Sequence, residues 1–169
     1  MFFAGCMLSI LVYGCAGKPS PATPGFVPDS FVVPERYEAN RLIFRPLVAA
    51  DAEADYEAVM ESRVRLRALF EGVWPADDFT VQQNEADLLV HEAAAANRQA
   101  FTYSILSADD EQVLGCLYVY PGQKTGAEVL FWIRETAYQR GIQPLVLSTI
   151  QHWIDEEWPF RDVTYLGEG

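Results

Sequence analysis

Glu128-Val129-Leu130-Phe131-Trp132-Ile133, then Tyr138-Gln139-Arg140-Gly141-Ile142-Gln143, is the stretch on which the fold turns. After Glu128, the next five residues are the aliphatic and aromatic types that suit a pleated strand. Past Gly141, residues Ile142, Leu145, Val146, Thr149, Ile150, Trp153 and Ile154 recur at i, i+3, i+4, i+7, i+8, i+11 and i+12. That spacing places them on one face of a helix. Trp158-Pro159 stops it. A strand, a glycine-bearing turn and an amphipathic helix therefore follow one another, and a short β-type run, Asp162 to Leu166, comes after them.

Working outward, Ala100 to Leu106 and Val113 to Tyr120 alternate in polarity, and polar residues Ser107 to Gln112 join them as a hairpin. Gly126 to Ile133 makes a third consecutive strand. Upstream, Thr80-Val-Gln-Gln83 is a capping-box pattern that opens a helix to about Asn97. Tyr56, Val59, Met60, Leu66, Leu69 and Phe70 recur at helical spacing until Trp74-Pro75 breaks the run. Asp51 is placed to cap that helix, with acids in its first turn. Arg41 to Leu47 reads as the opening strand. The expected class is α/β (α+β), a mixed and mostly antiparallel sheet flanked by helices, in the order β-α-α-β-β-β-α-β.

This order resembles the GNAT superfamily of acetyl-CoA-dependent N-acyltransferases, over roughly Glu38 to Leu166. Leu42 to Leu47 followed by Asp51 looks like that family's first strand and helix. Glu128 to Ile133 and Tyr138 to Gln143 look like its cofactor strand and pyrophosphate loop. The resemblance implies transfer of an acetyl group from acetyl-CoA to a small-molecule or peptide amine. It implies that Tyr138, Gln139, Arg140, Gly141, Ile142 and Gln143 hold the pyrophosphate at the helix N-terminus, where backbone N–H groups favour anions. It implies that Phe131, Trp132 and Ile133 hold the pantetheine arm through their backbone. Glu128 stands where many members carry the glutamate that deprotonates the amine directly or through water. Of the loop pattern, Gly141 matches. Tyr138 replaces a Gln or Arg, Gln143 replaces a small residue, and Pro144 withholds one N–H. The family continues past this point with a helix bearing a tyrosine acid; Tyr165 does not match it, so no residue takes that role. A fragment, a sheet completed by a partner and a shortened relative without full activity are three readings of the stop at Gly169. The alternative function is a non-catalytic GNAT-like binding domain, and the open sheet edge suits a homo-oligomer.

The chain has 169 residues and a formal net charge of −12. A nucleic-acid binder needs a basic surface to displace counterions, so that class is excluded, and so is a polybasic membrane patch. Three cysteines make neither a disulfide framework nor a four-ligand zinc site, and no metal is expected.

The N-terminus is different material. Residues 1–15 form a hydrophobic leader with no charged side chain, too short to span a bilayer. Its end, Leu11-Val12-Tyr13-Gly14-Cys15, resembles the lipobox of bacterial lipoproteins, which implies a lipid anchor at Cys15; no Lys or Arg precedes it. Residues 16–34 are proline-rich and read as a tether to the domain at 35–169. Acetyl-CoA is cytosolic. A spurious leader therefore accords with a cytoplasmic enzyme, and a true one with a membrane-anchored, non-catalytic lipoprotein.

Other constellations are weaker. His91-Glu92 lacks the second histidine of a zincin. Ser148 and His152 share a helix face but have no orienting acid. Cys116 reads as a buried small hydrophobe, and the acidic runs as solvated faces.

Overall fold

The computed structural model describes residues 26–70, 72, 74–108, 112–122 and 126–167. The expected leader, Cys15 and the first part of the tether lie outside them.

Six strands form one sheet in sequence order: β1 (Tyr37–Ala39), β2 (Leu42–Pro46), β3 (Phe101–Ser107), β4 (Val113–Pro121), β5 (Ala127–Ile133) and β6 (Val163–Gly167). Strands β1 to β5 pair antiparallel, and β6 joins β5 in parallel after a helical crossover. The helices are α1 (Ala52–Glu61), α2 (Arg63–Leu69), α3 (Val81–Ala96), α4 (Glu135–Gln139) and α5 (Gln143–Glu157). The expected mixed, mostly antiparallel sheet flanked by helices is the one observed.

Alternation along the strands divides the core in two. Odd-numbered residues of β5, Val129, Phe131 and Ile133, pack with Val146, Ile150, Trp153 and Ile154 of α5. The even-numbered Trp132 packs with Ala58, Val59 and Leu88 of α1 and α3. Each fully buried side chain of this size contributes roughly 1.5–3 kcal/mol, so the α5 stripe alone anchors its helix firmly. The capping box forms as read: Thr80 Oγ1 accepts from the Gln83 N–H at 3.2 Å, and Gln83 Oε1 accepts from the Thr80 N–H at 2.8 Å.

Four local features differ from the sequence reading. A short strand, β1, precedes the expected first one, joined to it by Asn40 and Arg41 at φ 52° and 65°. The first long helix is two, broken at Ser62, whose hydroxyl turns back to Ala58 O at 2.8 Å. A five-residue helix, α4, stands between β5 and the glycine turn. Asp51 makes no side-chain cap bond; its two carboxylate oxygens instead receive Nη1 and Nη2 of Arg45 at 2.7 and 2.8 Å, the fork geometry that carboxylates and guanidinium share.

Residues 26–34, within the stretch expected as tether, lie against the domain. Val27 is buried in the α5-side core, and Phe26 stacks on Phe160 at 4.9 Å between ring centroids. Arg98 donates to Pro28 O and Phe31 O at 2.7 and 2.9 Å. Among the described residues no helix is long and apolar enough to cross a membrane.

Candidate functional site

Strand β5 and the turn after it carry all the candidate residues. Glu128 is half-buried, opposite Tyr120 of β4 and Thr164 of β6. By alternation it shares a face with Leu130 and Trp132, toward α1 and α3. Phe131 and Ile133 lie buried on the α5 side, and Trp132 donates its indole N–H to Tyr118 Oη at 3.2 Å. Pairing between β5 and β6 runs from Ala127 to Phe131, so Trp132 and Ile133 have no β6 partner among the described residues. The Ile133 carbonyl is engaged instead by the Arg65 guanidinium.

The turn is tied to the α1–α2 junction. Ser62 Oγ accepts from the Glu135 N–H at 2.9 Å, and Glu61 Oε1 from the Thr136 N–H at 2.8 Å. These two acceptors satisfy donors that the first turn of α4 leaves free. The Arg134 guanidinium also pairs with Glu61, and that bond above all holds the Glu61 carboxyl down at about 2. Tyr138, at the position of a family Gln or Arg, is exposed and carries Arg65 over its ring at 4.1 Å. That cation–π contact is what the tyrosine does here. Gln139 donates to Glu135 at 2.9 Å, so it is turned to its own helix.

Gly141 sits at φ 72°, which favours glycine, and a Cβ added there would meet nothing within 4 Å. Open space therefore adjoins the backbone at the head of α5. Ile142 is the N-cap residue, Gln143 the first helical residue and Pro144 the second. The Gly141 N–H bonds Tyr138 O and the Val146 N–H bonds Ile142 O. The N–H groups of Ile142, Gln143 and Leu145 have no partner among the described residues. Beside them runs a groove of about 440 Å³ lined by Arg41, Arg140, Asn40 and Gln112. Free donors, two guanidinium groups and an open glycine fit a phosphate-bearing ligand. Arg41 was hidden in the sequence, where it reads as strand.

A second cavity, of about 340 Å³, opens on the other face, between α3 and strands β4 and β5. Asp55 forms part of its floor and is buried; its oxygens receive Asn84 Nδ2 at 2.9 Å and Cys116 Sγ at 3.1 Å. Burial nonetheless pushes the Asp55 carboxyl up, and it also raises the Cys116 thiol and the Tyr118 phenol. Tyr120 is pushed up to about 12, mainly by burial. His91 is lowered by burial, opposed by Asp87 one helical turn away, and its ring lies 5.4 Å from that of Tyr118. Cys116 is thus as buried as its sequence context suggests, but it is polar in use. Ser148 bonds back to Leu145 O at 3.0 Å. Among the described residues no group of three His, Cys, Asp or Glu could hold a metal.

The family model of the GNAT acetyltransferase domain matches residues 41–165, three-quarters of the chain. The protein belongs to the GNAT acetyltransferase family. Among solved structures, the ribosomal-protein-S5-alanine acetyltransferase of Vibrio fischeri is similar at TM-score 0.60 and 14% identity, covering 77% of this chain and 72% of that one. The Salmonella typhimurium acetyltransferase that modifies the N-terminal serine of ribosomal protein L7/L12 gives 0.61 and 13%, covering 75% and 71%. A ribosomal L7/L12 α-N-protein acetyltransferase in complex with coenzyme A gives 0.56 and 15%, covering 68% and 64%. At such identities the likeness is one of fold. No curated protein matches.

Proposed function

We propose that this protein is an N-acetyltransferase that uses acetyl-CoA and acts on a primary amine. The observation that carries the reading is the open, left-handed Gly141 at the head of α5, with three N–H groups beside it that have no partner among the described residues, one short helix on from the strand that bears Glu128. In this reading Ile142, Gln143 and Leu145 donate to the pyrophosphate, Arg140 and Arg41 neutralise it, and Gly141 leaves it room. Acetyl-CoA supplies an acetyl group already activated as a thioester. Glu128 takes the proton that the acceptor ammonium must lose, directly or through water. Ile133 lies five positions beyond Glu128, about 17 Å along the strand. In this reading the base stands on β5, and the phosphate cradle lies beyond the far end of that strand, past α4.

Calorimetry of the full chain with acetyl-CoA tests this. Arg140→Ala is expected to weaken binding about tenfold or more. Gly141→Val places a branched side chain in the open space and at an unfavourable φ, and is expected to abolish binding. Gln143→Gly is expected to tighten it by relieving crowding. If all three bind as the parent does, the loop is not the cofactor site.

One observation favours a second reading, a binding domain without turnover. The Ile133 carbonyl, at the strand end expected to hold the pantetheine arm, is already taken by Arg65. Acetyl-CoA binding with no acetyl transfer to any amine tested would select that reading.

A further inference from the structure

We propose that the 340 Å³ cavity between α3 and the β4–β5 face binds a small primary ammonium compound with an aryl or branched apolar body. Its volume lies at the lower end of the range for small-molecule sites. Two pairs of rings line it. Tyr118 and Tyr120 on β4 stack at 5.8 Å with 10° between planes; Phe70 and Trp74, on the connection from α2 to α3, meet edge to face at 5.3 Å. Aromatic faces carry negative potential and attract cations that have shed their water.

The charged groups agree with the rings. Asp55 lies at the floor and Asp87, exposed on α3, at the mouth, and among the described residues no Lys or Arg lines the cavity. His91, the remaining titratable nitrogen of the lining, has Nδ1 engaged by Thr102 Oγ1 at 3.1 Å. An anion would meet the exposed Asp87 carboxylate with no cationic side chain among the described residues of the lining to balance it. A neutral apolar molecule would cover the exposed Asp87 carboxylate without replacing its water, which is costly. A protonated amine satisfies both demands, and its apolar body takes the space between the rings.

The cavity shares its sheet face with Glu128, which stands directly across from Tyr120. If the acyl-transfer reading holds, the bound amine is therefore the acceptor. The binding itself does not depend on that reading.

The test is calorimetry of the full chain with phenethylamine, its neutral analogue 2-phenylethanol and the anion phenylacetate. Phenethylamine is expected to bind about tenfold or more tightly than the alcohol, and phenylacetate not to bind. Asp87 is exposed, so Asp87→Asn leaves the fold intact. It is expected to remove most of the preference for the amine while the alcohol binds as before. Trp74→Leu is expected to weaken both. The proposal is overturned if the alcohol binds as tightly as the amine, if neither variant changes binding, or if none of the three compounds binds. It is overturned in its small-ligand part if the peptide Phe-Ala-Ala-amide binds more tightly than phenethylamine. Acetyl transfer is assayed separately. Binding of phenethylamine without acetylation leaves the cavity proposal standing and removes the enzymatic one. Acetylation of peptides without phenethylamine binding does the reverse.

Discussion

Replacing Glu61 by glutamine keeps the side chain's shape and removes its charge. Glu61 receives Arg134 Nε at 2.9 Å and the Thr136 N–H at 2.8 Å, and the glutamine amide would face the guanidinium with donors of its own. Hydrogen bonds to charged groups contribute about 1.5–3 kcal/mol. The Glu61 side chain is 25% exposed, so solvent screening brings the expected cost to about 1–2 kcal/mol. For a domain of this size that lowers Tm by about 3–6 °C. The pH dependence is specific. Glu61 is depressed from 4.5 to about 2, so its contribution is present above pH 4.5 and is lost as pH falls through 2. The gap between parent and E61Q should therefore be smaller at pH 4 than at pH 7. Urea melts of both proteins at pH 7, 5 and 4 measure it. Equal stability at pH 7, or a gap of the same size at pH 7 and pH 4, would show that the charge is not what ties α4 to the α1–α2 junction.

Thr80→Ala removes the hydroxyl that caps α3 and should cost about 1 kcal/mol, read from a shift of the urea midpoint without a change in slope. Gly115 faces the neighbouring strand so closely that an added Cβ would fall 2.0 Å from Trp132 O, so Gly115→Ala should part β4 from β5 and lower stability by more than about 3 kcal/mol. Cys116→Ala leaves a buried Asp55 oxygen without its donor and should destabilise by about 1–3 kcal/mol. In the folded parent the same thiol, buried and raised in pKa, should resist alkylation until denaturant is added, as mass spectrometry of the Cys116 peptide would show.

What could be read beforehand was what repeats or what has a chemical signature. The α5 stripe, the three meander strands and the Thr80–Gln83 box each leave a local pattern, and each formed within a residue or two of the expected place. Strand β1 left none. It is three residues long, and its turn puts Asn40 and Arg41 at positive φ where glycine would have signalled it. The break at Ser62 was equally silent, because the hydroxyl that ends α1 does its work from inside an unbroken helical rhythm. In the candidate site, Glu128 and the 138–143 loop could be proposed from order and a single glycine. Arg65, Glu61, Asp87 and Arg41 could not, since each reaches its partner or cavity across the fold rather than along the chain. Tyr138 is the instructive residue. In sequence it is a departure from a pattern, and in the fold it is the platform for Arg65.

The packing of residues 26–34 has a mechanical consequence. A pull on the chain from its N-terminal side would not load the sheet first. It would load the Phe26 N–H to Arg98 O bond, the two Arg98 bonds to Pro28 and Phe31, and the seat of Val27. These bonds lie across one short segment, and they would peel in turn before Tyr103 releases the Pro34 carbonyl. Whatever the preceding residues are attached to, the domain meets that load at the turn after α3, far along the chain from the Gly141 loop. A fragment cut at Glu35 would lose this clasp and expose the faces of Phe101 and Trp158 that it covers. The working unit for any binding measurement therefore begins before Phe26.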